Sequence, residues 1–295
     1  MCHFSFPRIA LTTLASGLLA ATLPAHAVDV DAGDYTALPD GTNLAMVYYQ
    51  YATRDTAYSN GSSQPGRPGL DSHVGILRGV HFMNIGGYTV DPQFLLPFGR
   101  METSKDMSAV DNADGVGDLI LAATVWLLND KEQGRYFGIT PFLYAPTGSY
   151  DHNDALNLGE NRWKFALQAG YITPIVDKWL LDVTADVTLF GDNDKFGANR
   201  DTMKQEAMFQ LQSFVRYQID PTLDLRVGLS QTFGGETKVA GVKQDDEGEV
   251  TKMSVGTAWS FAPGMQLLAT YGQDLRVENG LKEKHRLNLR FLKAF

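Results

Sequence analysis

The stretch RLNLRFLKAF, residues 286–295, alternates between two kinds of side chain over most of its length. One side carries Leu287, Leu289, Phe291 and Phe295, and the other carries Arg286, Asn288 and Arg290. Successive residues of a β-strand point to opposite faces, so this period of two indicates a strand with two different environments. A final strand that ends in an aromatic residue and has one apolar face favours a membrane β-barrel.

The start of the chain predicts an export signal. Residues 1–8 hold one cation, Arg8, residues 9–23 are apolar, and Ala25-His26-Ala27 is a small-x-small cleavage site. These three features predict a signal peptide over residues 1–27 and a mature chain from Val28. A membrane anchor is the alternative, but the apolar stretch is too short and has no stop-transfer flank.

Composition narrows the functional classes. The only cysteine, Cys2, leaves with the signal, which excludes cysteine catalysis and thiolate metal sites in the mature protein. About 268 residues remain, enough for one large all-β domain. The net charge of −9 becomes −10 without Arg8, which argues against nucleic acid as a partner.

Twelve segments have the character of strands, and most have the roughly 9–11 residues that a tilted membrane strand needs. They cover about 43–53, 72–82, 88–98, 117–127, 135–145, 162–172, 179–190, 205–217, 222–233, 250–261, 265–273 and 283–295. The connections alternate between short ones, at 83–87, 128–134, 173–178, 218–222 and 261–264, and long ones, at about 54–71, 99–116, 146–161, 191–204, 234–249 and 274–282. Short periplasmic turns and long outer loops are the rule for outer-membrane barrels, whereas a soluble β-sandwich does not segregate loop lengths in this way.

Aromatic residues collect near the ends of these segments, as in the two girdles of a membrane barrel. The outer set is Tyr48, Tyr49, Tyr51, Phe98, Tyr144, Trp163 and Tyr271, and the inner set is Tyr171, Trp179, Tyr217, Trp259 and Phe261. The predicted fold is therefore an all-β, transmembrane, antiparallel up-and-down β-barrel of about 12 strands over residues 43–295. An even number of strands places both termini in the periplasm.

Several stretches resemble the outer-membrane channel family named for the meta-cleavage pathway of phenol degradation. They lie at 38–55, 90–102, 115–130, 136–151, 156–173, 191–194, 233–246, 271–280 and 286–295, and together they span nearly the whole mature chain. The resemblance implies a barrel of about twelve strands, a link to biodegradation and a role in the uptake of hydrophobic compounds. It implies no catalytic residues.

The predicted lumen face carries charges of both signs, which we identify as candidate pore-lining residues. They are Asp91, Lys164, Asp182, Asp186, Arg216, Asp224, Arg226, Lys252, Arg286 and Arg290. Opposed charges can orient polar solutes. Alternatively they pair across the interior and hold the barrel together, since buried charges need partners. A lumen of this size is narrow even when unobstructed.

Two further hypotheses concern the path through the barrel. Residues 28–42 precede the first strand and either fold into the lumen as a plug or form a periplasmic tail. Pro92 and Pro97 in the third strand, and Pro141 in the fifth, cannot donate to a strand ladder. They mark either a lateral gate between lumen and bilayer or a bulge that shapes the wall.

Enzymatic alternatives have weaker support. His73 and His285 fall near the outer ends of the second and twelfth strands, which flank the first strand after closure, and Ser59 or Ser62 lies in the first loop, so a surface Ser/His hydrolase is the enzymatic alternative. The run GDNDKFG at 191–197 resembles a calcium loop, but Phe196 and Met203 stand where oxygen ligands belong. We interpret this run as a turn, and we predict no metal, cofactor or enzymatic activity.

The sequence thus predicts a monomeric channel in the outer membrane of a Gram-negative bacterium. Its predicted function is passive uptake of small hydrophobic, mainly aromatic, compounds. The alternatives are a narrow diffusion pore for hydrophilic solutes, the hydrolase, and a structural or adhesive barrel. Expected partners are the outer-membrane lipid, a small hydrophobic substrate and, through the strand ending in Phe295, the barrel-assembly machinery.

Overall fold

The computed structural model describes residues 29–295, and the predicted signal peptide lies outside the described residues. Its wall has twelve antiparallel strands. They are β1 (Asn43–Ser59), β2 (Pro68–His81), β3 (Tyr88–Lys105), β4 (Leu119–Asp130), β5 (Arg135–Ala145), β6 (Lys164–Val176), β7 (Trp179–Phe190), β8 (Met208–Asp220), β9 (Leu223–Gly234), β10 (Gly248–Ala262), β11 (Met265–Val277) and β12 (Gly280–Ala294).

Each strand pairs with the next one along the chain, and β12 pairs with β1 from Leu44–Ala294 to Tyr58–Gly280. This last pairing closes the sheet into a barrel and leaves no wall strand with an open edge. The predicted antiparallel barrel of about twelve strands is therefore confirmed. No helix in the described part of the chain is long and apolar enough to cross a membrane.

Side chains alternate between the interior and the exterior of the wall, as the period of two requires. In β7, Asp182 and Asp186 are buried, whereas Leu189 is half exposed. In β9, Arg226 is buried, whereas Val227 is 57% exposed. The exterior is thus apolar and the interior polar, the arrangement of a barrel that contacts lipid outside and encloses polar groups.

The outer ends of several strands are longer than predicted. Pairing between β2 and β3 continues to Pro68–Lys105, beyond the predicted ends of both segments. The long connection predicted over about 274–282 is wrong, because β11 ends at Val277 and β12 begins at Gly280. Both strands continue to their outer ends because each has a paired neighbour there. Val277 pairs with β10, and Gly280 pairs with β1.

The prediction of an outer aromatic girdle is wrong for two residues. Tyr48 and Tyr144 are buried and face the interior, at 8% and 7% exposure. Tyr49, one residue after Tyr48, is exposed on the outside. A run such as YYQY (48–51) places tyrosines on both faces, so composition near a strand end does not reveal which face each one occupies.

A second, four-stranded sheet stands above the wall. It is built from Asn193–Phe196, Asp201–Gln205, Thr237–Val239 and Val242–Lys243, which belong to the β7–β8 and β9–β10 loops. Three more short strands, Ser62–Ser63, Met83–Ile85 and Ala113–Val116, extend neighbouring hairpins of the wall.

Candidate functional site in the barrel lumen

Residues 29–42, hereafter the N-terminal segment, lie inside the barrel. Ala32, Tyr35 and Ala37 are each about 95% buried, although only the wall surrounds them. A tight turn reverses the segment, with the Asp34 amide donating to the Asp31 carbonyl at 3.1 Å. Gly33 in this turn has φ +94°, a conformation that favours glycine.

Tyr35 anchors the segment to one side of the wall. Its hydroxyl lies 2.9 Å from Thr140 Oγ1 in β5 and donates to Gln168 Oε1 in β6 at 3.1 Å. Trp126 in β4 donates from Nε1 to the Tyr35 carbonyl at 2.9 Å. Phe82 and Trp126 pack with Ala37 in an apolar cluster, so this side holds the segment by both packing and hydrogen bonds.

The opposite side holds the segment by charge. Arg290 in β12 donates from Nη1 to Asp31 at 3.0 Å and to Asp34 at 2.7 Å. Arg78 in β2 donates to the other oxygen of the same Asp34 carboxylate at 3.0 Å. Arg226 in β9 donates to the Ala32 carbonyl at 2.9 Å. Charge-assisted hydrogen bonds of this kind are about twice as strong as neutral ones.

Three more contacts attach the N-terminal segment to the wall. The Gly33 amide donates to Asp182 Oδ2 in β7 at 2.6 Å, and Gln210 in β8 donates to Asp29 at 3.0 Å. Arg286 in β12 lies 3.4 Å from Asp29. The N-terminal segment therefore contacts strands on every side of the barrel and crosses its interior.

The structure places all ten candidate pore-lining residues on the interior face. Asp91, Lys164, Asp182, Asp186, Arg226, Arg286 and Arg290 are buried, and Arg216, Asp224 and Lys252 are partly exposed within the lumen. Most of them form ion pairs, namely Asp182–Arg216, Asp224–Arg226, Lys252–Glu283, Arg286–Glu283, Lys164–Glu160 and Arg290 with Asp31 and Asp34. Asp91 and Asp186 instead hydrogen bond to neutral groups, the Thr124 amide and Gln168.

Sequence reasoning missed several charged residues of the lumen, among them Arg54, Arg78, Asp274 and Glu283. Arg78 shares the interior face of β2 with Ser72, Val74 and Ile76, so its strand shows no clear alternation. The parity of the strand would still have identified Arg78 once its register was known. The carboxylates of the N-terminal segment had no such signal, because they precede the first strand.

A cavity of about 110 Å³ remains beside the N-terminal segment. Its lining includes the paired cations Arg78, Arg286 and Arg290 and the apolar side chains Ile76 and Phe214. An engineered apolar cavity of about 150 Å³ accommodates benzene. The cavity beside the N-terminal segment is therefore smaller than that one.

Both strands that neighbour β4 contain proline, and pairing with β5 is interrupted beside one of them. Pro92 in β3 pairs with Ala123. On the other side, β4 pairs with β5 at Ala122–Phe142 and next at Val125–Ile139, and the interruption lies at Pro141. The Thr124 amide donates to the Asp91 side chain at 2.6 Å. The β3–β4 ladder ends at Leu95–Ile120, and above it the Pro97 carbonyl accepts from Gly117.

An apolar cluster lies at the outer end of the barrel, formed by Leu70 in β2, Met101 in β3, Met107 in the β3–β4 loop and Leu156 in the β5–β6 loop. This outer apolar cluster joins the β3–β4 loop and the β5–β6 loop above the wall. Methionine side chains are flexible and polarisable, so such a cluster can adapt to apolar molecules of different shape.

The β5–β6 loop is tied down at its end by charge. Asp118 accepts from the amides of Gly148 and Glu160, at 2.9 and 3.0 Å. Glu160 in turn pairs with Arg162 and Lys164. Burial opposes ionisation of Glu160, but the two cations outweigh it and lower its pKa to about 2.

The histidines considered for a hydrolase lie at the outer surface beside tyrosines. His73 Nδ1 is 2.8 Å from the Tyr49 hydroxyl, and His285 Nδ1 is 2.6 Å from the Tyr271 hydroxyl. Ser59 pairs with Ser62 across a hairpin at the end of β1. The hydrogen bonds of both imidazoles therefore go to phenols rather than to these serines.

A closed twelve-stranded barrel with an apolar exterior and a charged lumen defines the class of outer-membrane channels. The chain belongs to the family described as "Putative MetA-pathway of phenol degradation", whose model matches residues 53–291. An outer membrane channel from Pseudomonas putida F1 is 44% identical, with a TM-score of 0.88 over 90% of this chain and 100% of that one. The resemblance found in the sequence and the outer-membrane location are thereby confirmed.

More distant structures share the barrel fold alone. The β-domain of the Bordetella autotransporter BrkA is 13% identical, with a TM-score of 0.55 over 87% of this chain and 100% of that one. The transport unit of the autotransporter AIDA-I from Escherichia coli is 10% identical, with a TM-score of 0.54 over 94% of this chain and 95% of that one. No curated protein sequence matches the chain.

Proposed function

We propose that this channel mediates the passive uptake of small hydrophobic, mainly aromatic, compounds across the outer membrane. The observation that carries the proposal is the N-terminal segment, which crosses the lumen and is bonded to strands on every side. A permanently open pore for hydrophilic solutes needs a continuous aqueous path. A lumen occupied in this way instead suits a channel that opens for a particular class of solute.

In this proposal the N-terminal segment acts as a plug. Its attachments combine an apolar contact, at Ala37 and Trp126, with the ion pairs of Asp31 and Asp34. An apolar solute can replace the contact between Ala37 and Trp126. Asp31 and Asp34 can exchange their arginine partners for other cations or for water. Ordered attachment on two sides also explains why the segment lies in the lumen rather than in the periplasm.

In this proposal the solute is captured at the outer apolar cluster and released through the seam between β3, β4 and β5. The outer apolar cluster is at most 4% exposed, so capture requires it to open, and its two flexible methionines make that rearrangement easier. The seam around Pro92, Pro97 and Pro141 supports lateral release, because missing ladder bonds lower the cost of separating strands. A solute that leaves through this seam enters the bilayer without crossing the periplasmic end, where Phe82 and Trp126 pack together.

The rival functions have less support. Paired charges such as Asp182–Arg216 favour a narrow hydrophilic pore only if the segment leaves the lumen readily. Family membership and the 44% identical relative point to a channel rather than to a hydrolase. The hydrogen bonds of His73 and His285 to tyrosines also argue against a Ser/His hydrolase.

The test compares the mature protein with a variant lacking residues 29–40 in liposome swelling. We expect slow swelling of the intact protein with a size series of sugars and amino acids. The deletion variant should swell rapidly and with a size limit, because the lumen is then empty. Uptake of radiolabelled benzyl alcohol into cells that produce the intact protein should exceed uptake into vector controls.

Two results would overturn this proposal. Rapid, size-graded swelling of the intact protein would replace it with the hydrophilic pore. Equal swelling of intact and deleted proteins would show that the segment does not control the lumen. Heat-modifiability on gels serves as the control that both proteins are folded barrels.

A further inference from the structure

The carboxylate of Asp34 lies between two guanidinium groups of the wall. Arg290 donates to Oδ1 at 2.7 Å, and Arg78 donates to Oδ2 at 3.0 Å. Tyr48, on the strand between them, accepts from Arg78 at 3.1 Å, and its ring lies 5.9 Å from the Arg290 guanidinium. One carboxylate held by two arginines is the arrangement by which proteins recognise carboxylate ligands.

These two arginines differ from the other cations of the lumen in their partners. Arg216, Arg226, Lys252 and Arg286 each have a carboxylate on the wall. Within residues 29–295, the ion pairs of Arg78 and Arg290 go only to Asp31 and Asp34 of the N-terminal segment. The wall thus presents two buried cations whose charge is balanced from the segment alone.

Arg290 has further binding capacity. Its side chain is 94% buried, and its Nε has no hydrogen-bond partner within the part of the chain that the structure describes. A buried donor without a partner is costly and is rare in folded proteins. The unused donor points to a ligand with more acceptor oxygens than Asp31 and Asp34 supply to this arginine.

The cavity beside the arginine pair has a mixed lining, in which Gln50, Arg226, Lys252 and Arg286 lie next to apolar side chains. The same cavity is lined by Ile76, Leu95, Phe214 and Leu268, together with Tyr48. At about 110 Å³ it is smaller than the cavity of about 150 Å³ that accommodates benzene, and displacement of Asp34 would enlarge it. A site with two guanidiniums and neighbouring aliphatic and aromatic side chains fits an aromatic acid better than a neutral hydrocarbon, because only the acid supplies a charge that compensates the arginines.

We propose that Arg78 and Arg290 form a binding site for the carboxylate of a small aromatic acid, and that Asp34 occupies this site as a tethered competitor. The inference rests on the proposed function, because it takes the N-terminal segment to be a plug. Departure of the segment alone would leave two buried arginines without counter-charge, which is strongly unfavourable. An incoming carboxylate compensates them, so this class of solute lowers the cost of opening.

The test measures binding of radiolabelled benzoate to the purified full-length mature barrel by equilibrium dialysis. Asp34→Asn removes the competing carboxylate and the ion pairs that oppose its displacement from the arginines, while Tyr35 and Asp29 keep their own bonds to the wall. We expect this variant to bind benzoate at least about tenfold more tightly than the unmodified protein. Arg290→Gln or Arg78→Gln in the Asp34→Asn background should abolish the gain. Benzyl alcohol, the neutral analogue, should bind all variants alike.

Asp40→Asn is the matched control. It removes the same charge from the same segment, but Asp40 accepts from the Asn84 amide near the start of the barrel and contacts neither arginine. It should leave benzoate binding unchanged. A gain with Asp40→Asn equal to that with Asp34→Asn would overturn the proposal, because loosening of the segment alone would then explain it.

The result also separates this inference from the proposed function. If Asp34→Asn gains no affinity for benzoate while the 29–40 deletion still opens the lumen, the carboxylate site is refuted and the plug stands. If the deletion leaves swelling unchanged, the plug is refuted, and the arginine site is judged by the benzoate series alone. Arg290→Lys in the Asp34→Asn background retains the positive charge but lacks the planar guanidinium. It should therefore show only part of the gain in benzoate affinity.

Discussion

Gly138 and Gly170 stand opposite one another in β5 and β6, and the ring of Tyr35 lies against both. A β-carbon at position 170 would lie 2.2 Å from the ring, and one at position 138 would lie 3.2 Å from it. The two glycines make a flat area on an otherwise filled interior face. This area lets the N-terminal segment approach the wall closely enough for the Tyr35 hydroxyl to reach Thr140 and Gln168.

Gly170→Ala should displace the segment and raise conductance. The added methyl group overlaps the Tyr35 ring, and overpacking of this kind costs about 1–3 kcal/mol. Single-channel recording in planar bilayers measures the effect. Gly228→Ala is the matched control, because its β-carbon would meet Phe214, a residue of the wall, at 2.5 Å. Equal conductance of the two variants would contradict a specific role for the glycine pair.

A disulfide across the β3–β4 seam should block uptake of hydrophobic compounds. Phe94 and Leu121 are directly opposed on the outer face beside Pro92, and Cys2 is the only cysteine of the sequence. Oxidised Phe94→Cys/Leu121→Cys protein should transport benzyl alcohol poorly and recover after reduction. Val187→Cys/Phe209→Cys, across the uninterrupted β7–β8 seam, should transport normally in both states. Undiminished uptake by the oxidised β3–β4 variant would exclude lateral release there.

Glu283→Gln should destabilise the barrel by about 3–5 kcal/mol, the usual effect of removing one partner from a buried ion pair. Glu283 is 2% exposed and lies 2.5 Å from Arg54, 3.0 Å from Lys252 and 3.3 Å from Arg286. Urea unfolding in detergent micelles measures the change. Lys284→Met breaks the neighbouring exposed pair with Asp55 and should cost at most about 1 kcal/mol. Similar effects of both changes would mean that burial does not control the energetics of this network.

The β5–β6 loop should loosen in acid. The pKa of Glu160 falls from its ordinary value of 4.5 to about 2, so its ion pairs contribute fully above pH 4.5. That contribution is lost as the pH falls from 4.5 towards 2. Hydrogen exchange of residues 146–163, normalised for the intrinsic rate, should rise over this range. In the Glu160→Gln variant the exchange rate of these residues should already be high at neutral pH. If this variant showed the same rise in acid as the unmodified protein, the rise would have to come from another titratable group.

The strands were largely predictable from sequence because lipid and lumen impose opposite demands on adjacent residues. The predicted bounds of β5 and β7 agree with the structure at both ends, since both strands are flanked by clear turn signals. The outer ends of β11 and β12 were not predictable, because above the membrane a polar sequence suits both loop and paired strand. Tyr48 was assigned to the wrong face for a related reason: its neighbours Tyr49 and Tyr51 are aromatic on the other face.

The sequence by itself determined the period of two, the number of strands and the apolar exterior, since these depend only on neighbours along the chain. It also placed all ten candidate pore-lining charges on the interior face. The tertiary structure alone decided which charges meet. Asp34 and Arg290 are 256 positions apart, and they are brought within 2.7 Å by the closure of β12 onto β1 and the path of residues 29–42. Closure and threading depend on contacts between distant parts of the chain, for which a local pattern carries no signal.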